Sequence, residues 1–167
     1  MIIRPETEAD HQVITDITIA AFKDHPVSQN TEQFIIVALR KANALAVSLV
    51  AEDGGEIVGH IAFSPVTFTD GTQGWYGLGP VSVVPERQRQ GIGKRLVNEG
   101  LEILKDLDAK GCALVGDPNY YNRFGFKSPD RLAYEGVPQE YFMVITFGDA
   151  GIPTGYVKFD KAFGATE

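Results

Sequence analysis

A mixed α/β fold built on a mostly antiparallel central sheet is what this sequence predicts, on three observations. Apolar runs at 47–52, 57–68 and 75–84 follow one another through short glycine turns, the pattern of an antiparallel meander. The last run leads through a glycine- and arginine-rich segment into a helical period over 92–104. Two helical stripes precede the meander, and a short apolar run at 112–115 follows the third helix, as a parallel crossover requires. The 167 residues suit one domain, 1–167, with a core over 1–126 and closing strands within 132–160.

Each element has a local reason. Residues 1–4 read as a short edge strand ending at Pro5. Thr7 offers an N-cap with Asp10 three residues on, and Ile14, Ile17, Ala21 and Phe22 then make a helical stripe. Asp24-His25-Pro26 breaks that helix. A second helix is expected over 31–43, with Phe34, Val37 and Ala38 inward and Arg40-Lys41 at its basic end. Asp53-Gly54-Gly55-Glu56 is a hairpin signal, and Asp70 to Gly74 a second turn. Pro80, lying in a central strand, demands a bulge or a gap in the ladder. The third helix is expected to end at Lys110-Gly111, with Gly111 as its C′ residue. A helix of about two turns at 119–124 and strands at 142–147 and 156–159 complete the chain.

The chemistry concentrates between Leu78 and Val97. A valine-rich strand stops at Pro85, and an amphipathic helix starts at Gly91. The first turn of a helix has unpaired N–H groups and partial positive charge, so it binds anions wherever no side chain blocks the approach. Gly91 and Gly93 leave the backbone open, and Arg87, Arg89, Lys94 and Arg95 add cations. This is a phosphate-binding turn. It fits neither the GxxxxGK[ST] loop nor the GxGxxG fingerprint, because Arg95 replaces the hydroxyl and Leu96 the last glycine.

Composition narrows the partners. Net charge is −7, which argues against nucleic acid and for a small anionic ligand at the one basic cluster. No run is long enough for a membrane span and no leader segment is evident, so a cytoplasmic protein is expected. Cys112 stands alone among apolar neighbours and reads as a small buried hydrophobe. No metal-ligand set is assigned.

The strand ending in Val-x-Pro, followed by Gln88-x-x-Gly91-x-Gly93, resembles the acetyl-CoA-binding motif of the GNAT family of N-acetyltransferases. The segment YYNRFGF at 120–126 is similar to a second feature of that family, and the pair looks most like its bacterial YhbS-like subgroup. The resemblance implies a sheet splayed at the cofactor site, with the pantetheine arm of acetyl-CoA in the gap. It implies that main-chain groups of Val81, Ser82 and Val83 hold the pantetheine and thioester. Arg89, Gln90, Gly91, Ile92, Gly93 and Lys94 would bind the pyrophosphate. Tyr121 would be the general acid for the leaving thiolate, and residues 22–34 would shape the acceptor pocket.

The implied reaction moves the acetyl group of acetyl-CoA to a primary amine, of a small molecule or a peptide, by direct attack. The glutamate that many members carry as general base has no counterpart at 78–84 or 112–116. Asp117, His60 or a water chain stay open as the base, with His60 reading first as a structural strand residue. That gap admits a rival, a non-catalytic acyl-CoA-binding or interaction module on the same fold. Monomer and homodimer both remain open.

Overall fold

The computed structural model describes residues 1–167 and contains eight strands and four α-helices. The strands are β1 (Ile2–Pro5), β2 (Val47–Asp53), β3 (Glu56–Phe68), β4 (Trp75–Val83), β5 (Gly111–Val115), β6 (Leu132–Ala133), β7 (Phe142–Thr146) and β8 (Gly155–Lys158). The main sheet runs β1-β2-β3-β4-β5-β7, and β8 pairs with the far end of β3 and with β6. β4 and β5 are parallel, whereas the remaining neighbours along the main path are antiparallel. The fold is thus mixed α/β with a mostly antiparallel sheet, as the sequence predicts.

The β2–β3 hairpin turns on Gly54 and Gly55, at φ 60° and 84°, with Asp53 facing Glu56. Two consecutive positive φ values are what a two-residue primed turn needs, and glycine adopts them without steric cost. The bulge expected of Pro80 is present. Ile61 faces Val81 but Phe63 faces Leu78, so two residues of β4, Gly79 and Pro80, stand opposite the single residue Ala62.

The helices α1 (His11–Phe22), α2 (Glu32–Lys41) and α3 (Ile92–Asp106) cover the sheet. α3 buries Ile92, Leu96, Val97, Leu101 and Leu104 against Leu49, Ile61 and Phe63, which forms the largest core cluster. Gly100 lets it approach closely, for a methyl there would lie 2.2 Å from the Phe63 ring. α1 and α2 pack Ile14 and Ile36 onto Val50, on the opposite face.

Two expectations need correction. α2 buries Ile35, Ile36 and Leu39, while Phe34, Val37 and Ala38 are only partly covered. The apolar residues on this helix are nearly continuous, so its inward face was set by contact with Val50 and Ala162 rather than by periodicity. Gly111 is not a helix C′ residue. α3 ends at Asp106, Asp108 takes the left-handed conformation (φ 60°), and Gly111 opens β5. Its missing side chain makes room for Trp75, whose ring atoms come within 2.5 Å of where a Cβ would stand.

Candidate active site

The site is built where β4 leaves β5. The two strands pair at Trp75–Gly111, Tyr76–Cys112 and Gly77–Ala113, and there the ladder stops. From Leu78 to Val83 β4 bonds only to β3, while β5 turns to β7 through Leu114 and Val115. A cleft therefore opens between two strands of one sheet, and its walls carry main-chain N–H and C=O groups that neither strand satisfies. The side chains of Val81 and Val83 pack toward the α3 core, and Ser82 points to the other face, 2% exposed. The cleft thus meets backbone, which an extended amide-containing chain could pair with as a strand would.

Beyond the open end of β4 lies the glycine turn. Gln88 donates from its side-chain amide to the carbonyl of Val83 (3.1 Å), which ties the turn to the strand. Arg89 (φ 63°) and Gly91 (φ 86°) both take left-handed backbone, and Gly91 serves as N-cap of α3. The first intrahelical bond runs from Arg95 N–H to Gly91 O, so the amides of Ile92, Gly93 and Lys94 precede it. Nothing lies within 4 Å of the Cβ position of Gly91. The arrangement is a concave set of N–H groups at the positive end of a 15-residue helix. It suits a diphosphate.

The four cations divide into two pairs. Arg87 reaches Asp53 at 2.7 Å and donates to Gln90, and Arg95 donates to the carbonyl of Met1. Those two brace the turn. Arg89 and Lys94 are exposed and their side chains make no hydrogen bond or salt bridge, so both are free to offer charge to a ligand. Gln90 and Gly91 are exposed beside them, whereas Ile92 is 2% exposed and can offer only its N–H.

Across the cleft stands α4 (Pro118–Tyr121), N-capped by the Asp117 side chain accepting from Asn119 N–H. Tyr121 packs edge-on against Tyr120 and Phe126, and burial pushes its phenol well above the ordinary tyrosine range. A phenol held protonated is a proton donor at neutral pH. Tyr120 was not foreseen. Its hydroxyl lies 3.1 Å from the Cβ position of Gly93, and Arg123 sits over its ring at 4.7 Å. The glycine that opens the turn to anions also accommodates this hydroxyl, a contact between residues 27 positions apart that no local pattern reveals.

Of the base candidates, Asp117 is engaged as the α4 cap. His60 is 0% exposed in a cluster the sequence reading missed. Glu6 accepts from Arg40 at 3.0 and 3.1 Å and from Ser48, His11 Nε2 lies 2.8 Å from it, and His60 Nε2 lies 2.8 Å from Ser48 Oγ. Burial would raise the Glu6 carboxyl, but His60, Arg40 and Ser48 outweigh it and hold the group far below the usual range. Burial lowers His60, keeping the imidazole neutral. The partners come from the loop after β1 and from α1, α2, β2 and β3, which is why spacing gave no sign of them.

A sheet parted at one parallel pair, with an anion-binding helix start at the mouth of the gap, defines a class: transferases that take an acyl group from coenzyme A. Residues 11–126 match the model of the acetyltransferase (GNAT) family, and this chain belongs to that family, as an acetyl-CoA-dependent acyltransferase. The chain is 33% identical over 128 residues to the uncharacterised N-acetyltransferase YhbS of Escherichia coli K12, covering 76% of this chain and 74% of that one. Its fold matches a GNAT acetyltransferase of Brucella melitensis solved with acetyl-CoA: TM-score 0.86, 46% identity, 97% of both chains covered. Escherichia coli YhbS solved with CoA matches at TM-score 0.87 and 29% identity, over 99% of this chain and 93% of that one. No helix is long and apolar enough to cross a membrane.

Proposed function

We propose that this chain transfers the acetyl group of acetyl-CoA to a primary amine, of a small molecule or a peptide, by direct attack on the thioester. The observation that carries this reading is the parting of β4 from β5 after Gly77, with the glycine turn at its mouth. Main-chain groups of Val81, Ser82 and Val83 hold the pantetheine arm and thioester, and an N–H there stabilises the developing oxyanion. The amides of residues 89–94, with the side chains of Arg89 and Lys94, hold the pyrophosphate. Tyr121 protonates the leaving thiolate, its phenol being protonated at neutral pH.

Two relatives crystallised with acetyl-CoA or CoA support the cosubstrate. The non-catalytic alternative draws on the absence of any carboxylate from 78–84, and it would leave Tyr121 a packing role only. Thermal unfolding with and without acetyl-CoA tests the reading. At 100 times its dissociation constant the ligand should add about 2.7 kcal/mol of stability. Gly91→Glu should abolish that shift by placing a carboxylate against the diphosphate. Gly91→Ala carries the same left-handed strain, about 1–2 kcal/mol, without the charge, and should retain part of it. No shift in the wild type at millimolar acetyl-CoA would overturn the assignment.

A further inference from the structure

One side chain, Tyr120, reaches across the mouth of the cleft from α4 to the start of α3. Its hydroxyl lies 3.1 Å from the Cβ position of Gly93, and the Val83 side chain lies 3.8 Å from that same point. Gly93 is the second residue of α3, and its N–H is one of the amides that precede the first intrahelical bond. The hydroxyl thus stands where β4 hands over to the glycine turn, beside the amides that face an anion. Its ring is held on several sides. Tyr121 packs edge-on at 4.9 Å and Phe124 at 5.5 Å. The Arg123 guanidinium lies over the ring face at 4.7 Å, and Arg123 Nε donates to the Tyr120 carbonyl at 3.0 Å. A ring fixed in that way has little rotamer freedom left to lose on binding. The oxygen, by contrast, is unused: it makes no hydrogen bond within the chain, and it is not sealed from solvent. Phenylalanine would make all the ring contacts, so packing does not call for the hydroxyl. Burial raises the phenol, which keeps it protonated and able to donate near neutral pH.

We propose that the Tyr120 hydroxyl donates to the diphosphate of coenzyme A, closing over the glycine turn from the α4 side. This rests on the transferase reading, which seats that diphosphate on the amides of residues 89–94. The two adjacent tyrosines then divide the cosubstrate between them, Tyr120 at the diphosphate and Tyr121 at the sulfur. The diphosphate is the partner because the hydroxyl lies against Gly93, within the run of amides that have no acceptor inside the helix. A donor aimed at a charged oxygen makes a bond about twice as strong as one between neutral groups. Gly93 has a second purpose on this reading. A side chain there would occupy the space between the hydroxyl and the turn, so the missing Cβ lets both walls reach one anion.

Titration calorimetry with CoA and ³¹P NMR of the bound molecule test this, and neither needs the acceptor amine. Tyr120→Phe keeps the ring and should leave the melting temperature of the free protein unchanged. Its CoA dissociation constant should rise about tenfold or more, whereas Tyr121→Phe should keep the wild-type value. With CoA saturating both proteins, the diphosphate signals should differ between wild type and Tyr120→Phe, while the signal of the ribose phosphate stays in place. Equal dissociation constants overturn the assignment and leave the transferase reading intact. Weaker binding with unmoved diphosphate signals also overturns it, because the hydroxyl would then serve the pantetheine arm. Wild type that binds no CoA overturns both readings.

Discussion

Tyr121 and Gly100 show how single residues divide between chemistry and packing. Tyr121→Phe removes one oxygen and keeps the ring contacts with Tyr120 and Phe126. Turnover should fall about a hundredfold, with acetyl-CoA affinity and melting temperature unchanged. Equal turnover would assign the tyrosine to packing alone. Gly100→Ala should do the reverse. Alanine gains about 1 kcal/mol of helix propensity, but its methyl would meet Phe63, itself 0% exposed, at 2.2 Å. Overpacking of that kind costs about 1–3 kcal/mol, so denaturant unfolding should show net destabilisation despite the better helix former. Both residues lie in recognisable local patterns, yet neither contact is visible without the partner.

At the scale of elements, the Glu6 cluster joins the loop after β1 to α1, α2, β2 and β3 by charge, and its stability depends on pH. Glu6 and Asp10 have depressed folded-state pKa values, Asp10 at about 2 because Arg4 bonds both its oxygens. Their contribution is present above the unfolded carboxylate range and is lost as pH falls through the folded values. His60 acts in the same direction for the opposite reason. Its folded pKa is lowered by burial, so below the unfolded value near 6.5 the unfolded chain binds a proton that the folded chain refuses. Stability should therefore drop in two stages on acidification: first below about pH 6.5, then below about pH 4. Melting temperature against pH checks this, and Glu6→Gln should flatten the second stage. A profile flat from pH 4 to 7 would contradict it.

Across the whole molecule, Cys112 offers a reporter. It is 0% exposed at the junction of β4, β5 and β7, and burial pushes its thiol well up. Labelling by a neutral aromatic disulfide should proceed only through global opening, at a rate that tracks denaturant stability. Acetyl-CoA should slow it by the same factor by which it stabilises the fold. Fast labelling under native conditions would show that the β4–β5 junction opens locally.

The order of elements, the antiparallel meander, the bulge demanded by Pro80 and the glycine turn with its unpaired amides at the start of α3 were determined by the sequence alone. Each rests on neighbours in the chain: alternation, glycine turns, proline's missing N–H, unpaired amides at a helix start. Only the tertiary structure decided which face of α2 turns inward, that Gly111 accommodates Trp75, which two cations stay free, and that Tyr120 leans on Gly93. It alone assembled Glu6, Arg40, Ser48 and His60. Those outcomes depend on contacts between residues dozens of positions apart, whose partners are chosen by packing and charge compensation once the sheet has formed, and no periodicity in the chain encodes them.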